Sequence, residues 1–257
     1  MNADSMSPPQ ILPVGMTTGI SNLAEIWVYL SATPLFGLTI TLLAYVLADI
    51  VYQRTNRHPL ANPVLIAVAM IITVLTLTHT DYKTYFQGAQ FVHFLLGTAT
   101  VALAIPLARL WNELRARAIP LLIALFAGAA TSVFVAVGIA RLLDAPPLIV
   151  ASLLPKSVTA PIAMAIAEQI GGSPTLAAVF TVCTGIIGAL IVTPLLNLLG
   201  VRDWAARGFA IGVAAHGIGT ARAYSVHPRA GAYASLGMGL HALLGAMLLP
   251  WIAKLVL

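Results

Sequence analysis

Apolar residues in this chain gather into long unbroken runs separated by short polar stretches. Runs that are apolar all round, rather than on one stripe, predict helices that cross a membrane. Six are long enough, since a span takes about 20 apolar residues: 26–48, 60–78, 88–108, 118–140, 173–201 and 230–253. Pro63 fits the first turn of its helix, and Pro106, Pro194 and Pro250, near the ends of others, fit kinks or stops. Two further apolar regions are interrupted. Segments 145–155 and 157–167 are each too short to span and flank Lys156. Region 208–228 carries His216-Gly217-Ile218-Gly219-Thr220-Ala221-Arg222. Polar backbone and cations survive at membrane depth only inside protein or beside a water-filled cavity, and broken segments of this kind point to a transport site.

Counting Lys and Arg sets the expected orientation. Loops 49–59, 109–117 and 202–207 hold Arg54, Arg57, Arg109, Arg115, Arg117, Arg202 and Arg207, whereas the loops between them hold Lys83 and Arg141. With the rich loops in the cytoplasm, the N-terminus lies outside. Arg141 is then outside and Arg202 inside, yet two segments separate them. The conflict vanishes if 145–170 is a re-entrant hairpin entering from outside, with its tip at Lys156-Ser157-Val158-Thr159, and 208–228 a second one entering from the cytoplasm. The expected architecture is all-α and polytopic, with six long spans plus two hairpins arranged as an inverted repeat. The alternative has both segments crossing as broken helices. Residues 1–25, with Pro8, Pro9, Pro13 and Gly15 and no Lys or Arg before residue 25, read as a loose extension rather than a cleaved signal peptide, and 26–257 as one transmembrane domain.

The chemistry at the two tips is cationic and hydroxylic. The first offers Lys156, Ser157 and Thr159, with Pro161 starting the returning arm, whose N-terminus carries a partial positive charge. The second offers His216, Gly217, Gly219, Thr220 and Arg222, where glycines admit a close ligand and Arg222 can grip a carboxylate bidentately. Neither tip brings a carboxylate, which predicts an anionic substrate. Glu168 is a candidate coupling residue, with a solvated role as its rival. His241 and His93 read as packed interhelical donors, Cys183 as a small packing residue, and Tyr85-Phe86-Gln87-Gly88 as an interfacial turn. Lys156 could instead snorkel, and Gly217 and Gly219 could serve helix packing.

Composition sharpens the class. The chain has 257 residues, 60% hydrophobic and 8% charged, whereas a soluble domain carries about 25% charged residues. The net charge of +5 lies at the ends of apolar runs, which argues against nucleic acid. One cysteine excludes an internal disulfide. No hydrolase, Walker or metal-ligand spacing is present, so neither enzyme activity, nor a metal, nor a cofactor is expected.

Several motifs are together specific. LPKSVTAPIAMAIAEQIGG (154–172), TGIIGA (184–189), ARGFAIGVAAHGIGTARA (206–223) and LGMGL (236–240) resemble the LrgB/CidB family, and NPVLIAVAM (62–70), YFQGAQFV (85–92) and FLLGTATVALAIPL (94–107) match its N-terminal half in order. The resemblance covers roughly 26–255. It implies a bacterial inner-membrane protein, antiholin-like and linked to murein hydrolase export and autolysis, or a transporter of small 2-hydroxy or 2-oxo monocarboxylates such as glycolate, glycerate or pyruvate. It also implies a companion membrane protein of the LrgA/CidA type. Thr98, Ala160 and Ala230 depart from residues common in the family, and Ala230, where an acid is common, puts proton or cation coupling in question.

Overall fold

The computed structural model describes residues 34–58, 61–102 and 104–257. The loose extension expected over 1–25, and the first residues of the expected 26–48 span, lie outside them. Every regular element among the described residues is helical. Four helices are long and apolar enough to cross a membrane: Leu35–Arg54, Ala118–Leu142, Pro174–Leu198 and Pro228–Val256. Among the described residues these four correspond to four of the six expected long spans, and no helix over 60–78 or 88–108 meets the same measure.

The N-terminal group is α1 (Pro34–Arg54), α2 (Pro63–Leu77) and α3 (Tyr82–Ala102). Asn62 caps α2, its Oδ1 accepting from the N–H groups of Val64 at 2.9 Å and Leu65 at 3.3 Å, with Pro63 following in the first turn. At 15 residues α2 is short for a span. Small side chains let these helices approach. Ala44, Ala48 and Ala67 form the seam, and a Cβ on Gly37 would land on the Tyr85 carbonyl. Tyr85-Phe86-Gln87-Gly88 lie inside α3, which corrects the expected interfacial turn. Tyr85 Oη sits 2.7 Å from Thr41 Oγ1, so Tyr85 and Gly88 face protein while Phe86 and Gln87 are exposed. The expected 88–108 run is helical on both sides of residue 103, over α3 and α4 (Ala104–Arg109), and α5 (Trp111–Ala116) follows. The side chain of His93 lies outside the described residues.

The C-terminal group is α6 (Ala118–Leu142), α7 (Pro147–Leu153), α8 (Ala160–Gln169), α9 (Pro174–Leu198), α10 (Trp204–Val226) and α11 (Pro228–Val256). Its first broken region enters on α7, turns over 154–159 and returns on α8. Val150 and Leu154 share one apolar cluster with Ala163 and Ile166. Just past α8 the Ser173 N–H donates to Ser152 Oγ at 2.8 Å, which brings the chain back beside α7.

The second broken region, α10, is two arms rather than one rod. Ala215 (φ −129°, ψ 18°) and His216 (φ 41°, ψ −133°) leave helical geometry. A straight helix of this length would separate its ends by roughly 33 Å, yet the Trp204 and His227 rings at the two ends stack 4.8 Å apart. The arms 204–214 and 217–226 therefore lie side by side. α11 runs along both. Cβ atoms on Gly208 and Gly212 of the first arm would strike the carbonyls of Ala230 and Ala234, and Gly231 packs on the Tyr224 ring of the second. Glycine at 208 and 212 permits a backbone approach that any side chain would block.

Candidate functional site

The two reversed regions meet at a cavity of about 890 Å³. Its middle is lined by Lys156 and Ser157 from the first turn, Ser132 from α6, Thr184 from α9, and Val213 and Ala214 at the end of the first α10 arm, and beyond them it continues to Leu153 and Ile139. It runs along α6 to a mouth beside Arg117 and Asp203. The walls between are mainly apolar, with Ala124, Gly128, Ser132 and Ala136 on one face of α6 at i, i+4 spacing.

Lys156 Nζ donates to Ser132 Oγ at 2.7 Å, Ser157 Oγ at 3.3 Å and the Ser132 carbonyl at 3.4 Å. Ser132 and Ser157 hydroxyls are themselves 2.8 Å apart. All three partners of the amine are neutral oxygens. The ion pairs among the described residues join Arg117, Glu113, Asp203 and Arg229, and none reaches Lys156. An ammonium removed from water and unmatched by a counter-charge is unfavourable unless an anion joins it.

The other expected residues divide. Thr159 stands before α8 as its N-cap without a side-chain cap bond and is not among the residues lining the cavity. His216 is buried, and its Nε2 donates to the Thr181 carbonyl at 2.8 Å, so it fastens the α10 turn to α9. The glycines of the 184–189 motif serve this contact. A Cβ on Gly185 would come 2.6 Å from His216 Cε1, and one on Gly188 would come 2.5 Å from the Ala215 Cβ. Thr220 Oγ1 donates to the His216 carbonyl at 2.8 Å, the ordinary back-bond of a helical threonine to the carbonyl four residues before it. Gly219 packs against Ala215 and Ile211, whereas a Cβ on Gly217 would have only the Met238 sulfur nearby, at 3.9 Å. These four residues build the turn and do not line the cavity.

Arg222 is placed elsewhere, correcting its expected position at the tip. It lies well along the second arm, where its guanidinium donates to Tyr52 Oη and to the Arg57 carbonyl at 3.3 Å. Tyr52 Oη also lies 3.1 Å from Ser225 Oγ, and Arg57 donates to the Ser225 carbonyl at 3.1 Å. Arg222 thus ties α10 to α1. Glu168 is exposed near the end of α8, one residue from Gln169 in a separate cleft beside Trp251 and Lys254. Cys183 is exposed on α9 rather than packed. His241 is buried and its Nδ1 donates to the Val213 carbonyl at 2.7 Å, the packed donor expected.

Ser132 and Thr184 are among the cavity residues that the sequence left unmarked. A signal for Ser132 existed, because Thr131-Ser132 is a hydroxyl pair within an apolar run and Ser132 continues the small-residue spacing of Ala124 and Gly128.

Comparison with known proteins adds family membership. The LrgB-like family model matches residues 41–255. The chain is 32% identical over 216 residues to the uncharacterized protein YwbG of Bacillus subtilis, covering 84% of this chain and 96% of that one. It is 30% identical over 222 residues to the holin-like protein CidB of Staphylococcus epidermidis, covering 86% and 96%. To CidB of Staphylococcus aureus it is 28% identical over 198 residues, covering 77% and 86%. No solved structure matches. Its four long apolar helices and the match along nearly its whole length make this chain a multi-pass membrane protein of the LrgB-like family.

Proposed function

We propose that this protein carries small monocarboxylate anions across the membrane, with the α7–α8 and α10 regions as re-entrant hairpins of opposite entry and Lys156 as the anion site. One observation carries this reading: Lys156 lines a large cavity with three neutral oxygens around Nζ and no described carboxylate in ion-pair reach. A substrate carboxylate would supply the missing charge. The hydroxyls of Ser132, Ser157 and Thr184 would then face the 2-hydroxy or 2-oxo oxygen of glycolate, glycerate or pyruvate. In this reading the Arg-rich loops face the cytoplasm, the N-terminus lies outside, the membrane is the bacterial inner membrane, and an LrgA/CidA-type protein is the companion subunit. Glu168 has no part in it.

A second reading is a holin-like regulator of murein hydrolase export and autolysis without a defined substrate site. The name of the Staphylococcus relatives, holin-like protein CidB, favours it over the carrier. The half-buried Lys156, without an ion-pair partner among the described residues, favours the carrier.

The deciding experiment is uptake of labelled glycolate, glycerate and pyruvate into proteoliposomes, with and without the companion protein, beside Lys156→Ala and Ser132→Ala. The carrier reading expects saturable uptake that is lost in Lys156→Ala and weakened in Ser132→Ala. Leakage of unrelated solutes without saturation would establish the holin-like reading.

A further inference from the structure

The cavity that Lys156 lines has a second cation, Arg117, at one end. Arg117 and Lys156 are the two cations among the described residues that line it. On α6, Arg117 and Ser132 are fifteen residues apart, so roughly 22 Å of mainly apolar wall separates the two charges. Small carboxylates lose hydration along such a wall, and a charge at the entrance raises the local anion concentration.

Arg117 is held loosely where it stands. Its Nη1 lies 3.3 Å from Asp203 Oδ2 and its Nε 3.6 Å from Glu113 Oε1. Each pair engages one nitrogen with one oxygen, so neither acid fills the guanidinium fork in the two-pronged way that carboxylates favour. Arg117 and Asp203 side chains are 45% and 46% exposed, and pairs that open to water are weak. Glu113 is otherwise engaged, accepting from Arg229 and, at 2.9 Å, from Tyr233 Oη. Arg117 is also the N-cap residue of the 25-residue α6 and makes no side-chain cap bond there. The partial positive charge of that terminus adds to its own.

We infer that Arg117 is an anion-capture site at the cavity mouth for a small monocarboxylate, with Asp203 the tethered carboxylate that the incoming anion displaces. The inference rests on the carrier reading for its substrate class, but its test does not need flux. Asp203→Asn is the informative variant. Asparagine keeps an oxygen for the Ala205 N–H that Asp203 Oδ1 now accepts at 3.3 Å, so the cap of α10 survives while the competing charge goes.

The first readout is phenylglyoxal modification of the full-length protein in detergent, followed at Arg117 by peptide mass spectrometry, with pyruvate as protectant and Arg109 as the internal control. Pyruvate is expected to protect Arg117 and not Arg109, equally in wild type and Lys156→Ala. In Asp203→Asn the half-protecting concentration is expected to fall, by roughly two- to five-fold, the scale of an exposed ion pair. In proteoliposomes, Arg117→Gln is expected to raise the half-saturating pyruvate concentration about tenfold or more with the maximal rate kept, and Arg117→Lys to recover part of it. Absence of protection at Arg117, or a higher half-protecting concentration in Asp203→Asn, overturns the inference. Protection without saturable flux keeps Arg117 as an anion site and removes the carrier reading, whereas flux without protection does the reverse.

Discussion

Trp204 and His227 stack with ring centroids 4.8 Å apart and planes 2° from parallel, closing the base of the α10 hairpin. The contact joins the start of the first arm to the residue after the second, so it fixes where the chain must turn. Arg207 lies over the same indole at 5.2 Å. Trp204→Ala is expected to lower stability by about 0.5–1.5 kcal/mol for the ring pair, beyond the area it buries. Thermal melts in detergent should show Trp204→Phe recovering part of the loss; equal melting of both variants would deny the stack its role.

Glycine substitutions should split by position. At Gly208 and Gly212 a methyl group would strike the α11 backbone at Ala230 and Ala234, and overpacking costs about 1–3 kcal/mol or more where backbone cannot yield. At Gly138 and Gly239, where nothing lies within 4 Å of the added carbon, alanine should stabilise the helix by up to about 1 kcal/mol. Folded yield and melting temperature of the four alanine variants check the contrast.

His216 occupies a conformation that glycine ordinarily adopts, at φ 41° and ψ −133°. Its ring bond to the Thr181 carbonyl holds it there. His216→Ala keeps the strained backbone and loses that bond, at about 1 kcal/mol for the bond, plus the penalty of leaving a buried acceptor unmet. His216→Gly loses the same bond but relieves roughly 1–2 kcal/mol of backbone strain. Glycine should therefore melt above alanine; the reverse order would mean that the turn is unstrained.

Arg222 and Tyr52 should behave as one unit. Because Arg222 bonds to Tyr52 on α1 and to Arg57 just past its end, Arg222→Gln and Tyr52→Phe are expected to lower stability similarly and non-additively when combined. Neither should change the half-saturating substrate concentration of uptake. A raised half-saturation in Arg222→Gln alone would return Arg222 to the substrate site.

The Glu113 carboxyl is held below its ordinary value of 4.5, first by its hydrogen bond from Arg229 and then by that from Tyr233. A depressed carboxyl stabilises the fold above the unfolded-state value and loses that contribution as pH falls through the folded one. Acidification below about pH 4.5, the unperturbed glutamate value, should loosen the α5–α11 junction in wild type more than in Glu113→Gln. Melting temperatures across pH 3–6 would show this as a steeper acid limb in wild type.

Membrane class, helical architecture, family and the two interrupted regions are all legible in the chain itself. Each depends on hydropathy, proline and glycine within one stretch of sequence, and the bilayer's thickness turns run length into an element. Lys156 and Ser157 are likewise marked by lying in a break between two short apolar segments. What lies across the cavity from them is another matter. Ser132 meets Lys156 from 24 residues away, and Arg222 is drawn to Tyr52 from 170 residues away. The sequence places Arg222 beside His216 because it counts neighbours along the chain, whereas one helical arm carries it well away from the turn. The turn at His216 rather than at Gly217 or Gly219 also belongs to packing. Gly185 and Gly188 of α9 leave room for the His216 ring and Ala215, and a left-handed φ at a histidine has no local signature. Local hydropathy determined what kind of protein this is. Close helix packing, through contacts distant in sequence, decided which of its polar side chains share a cavity.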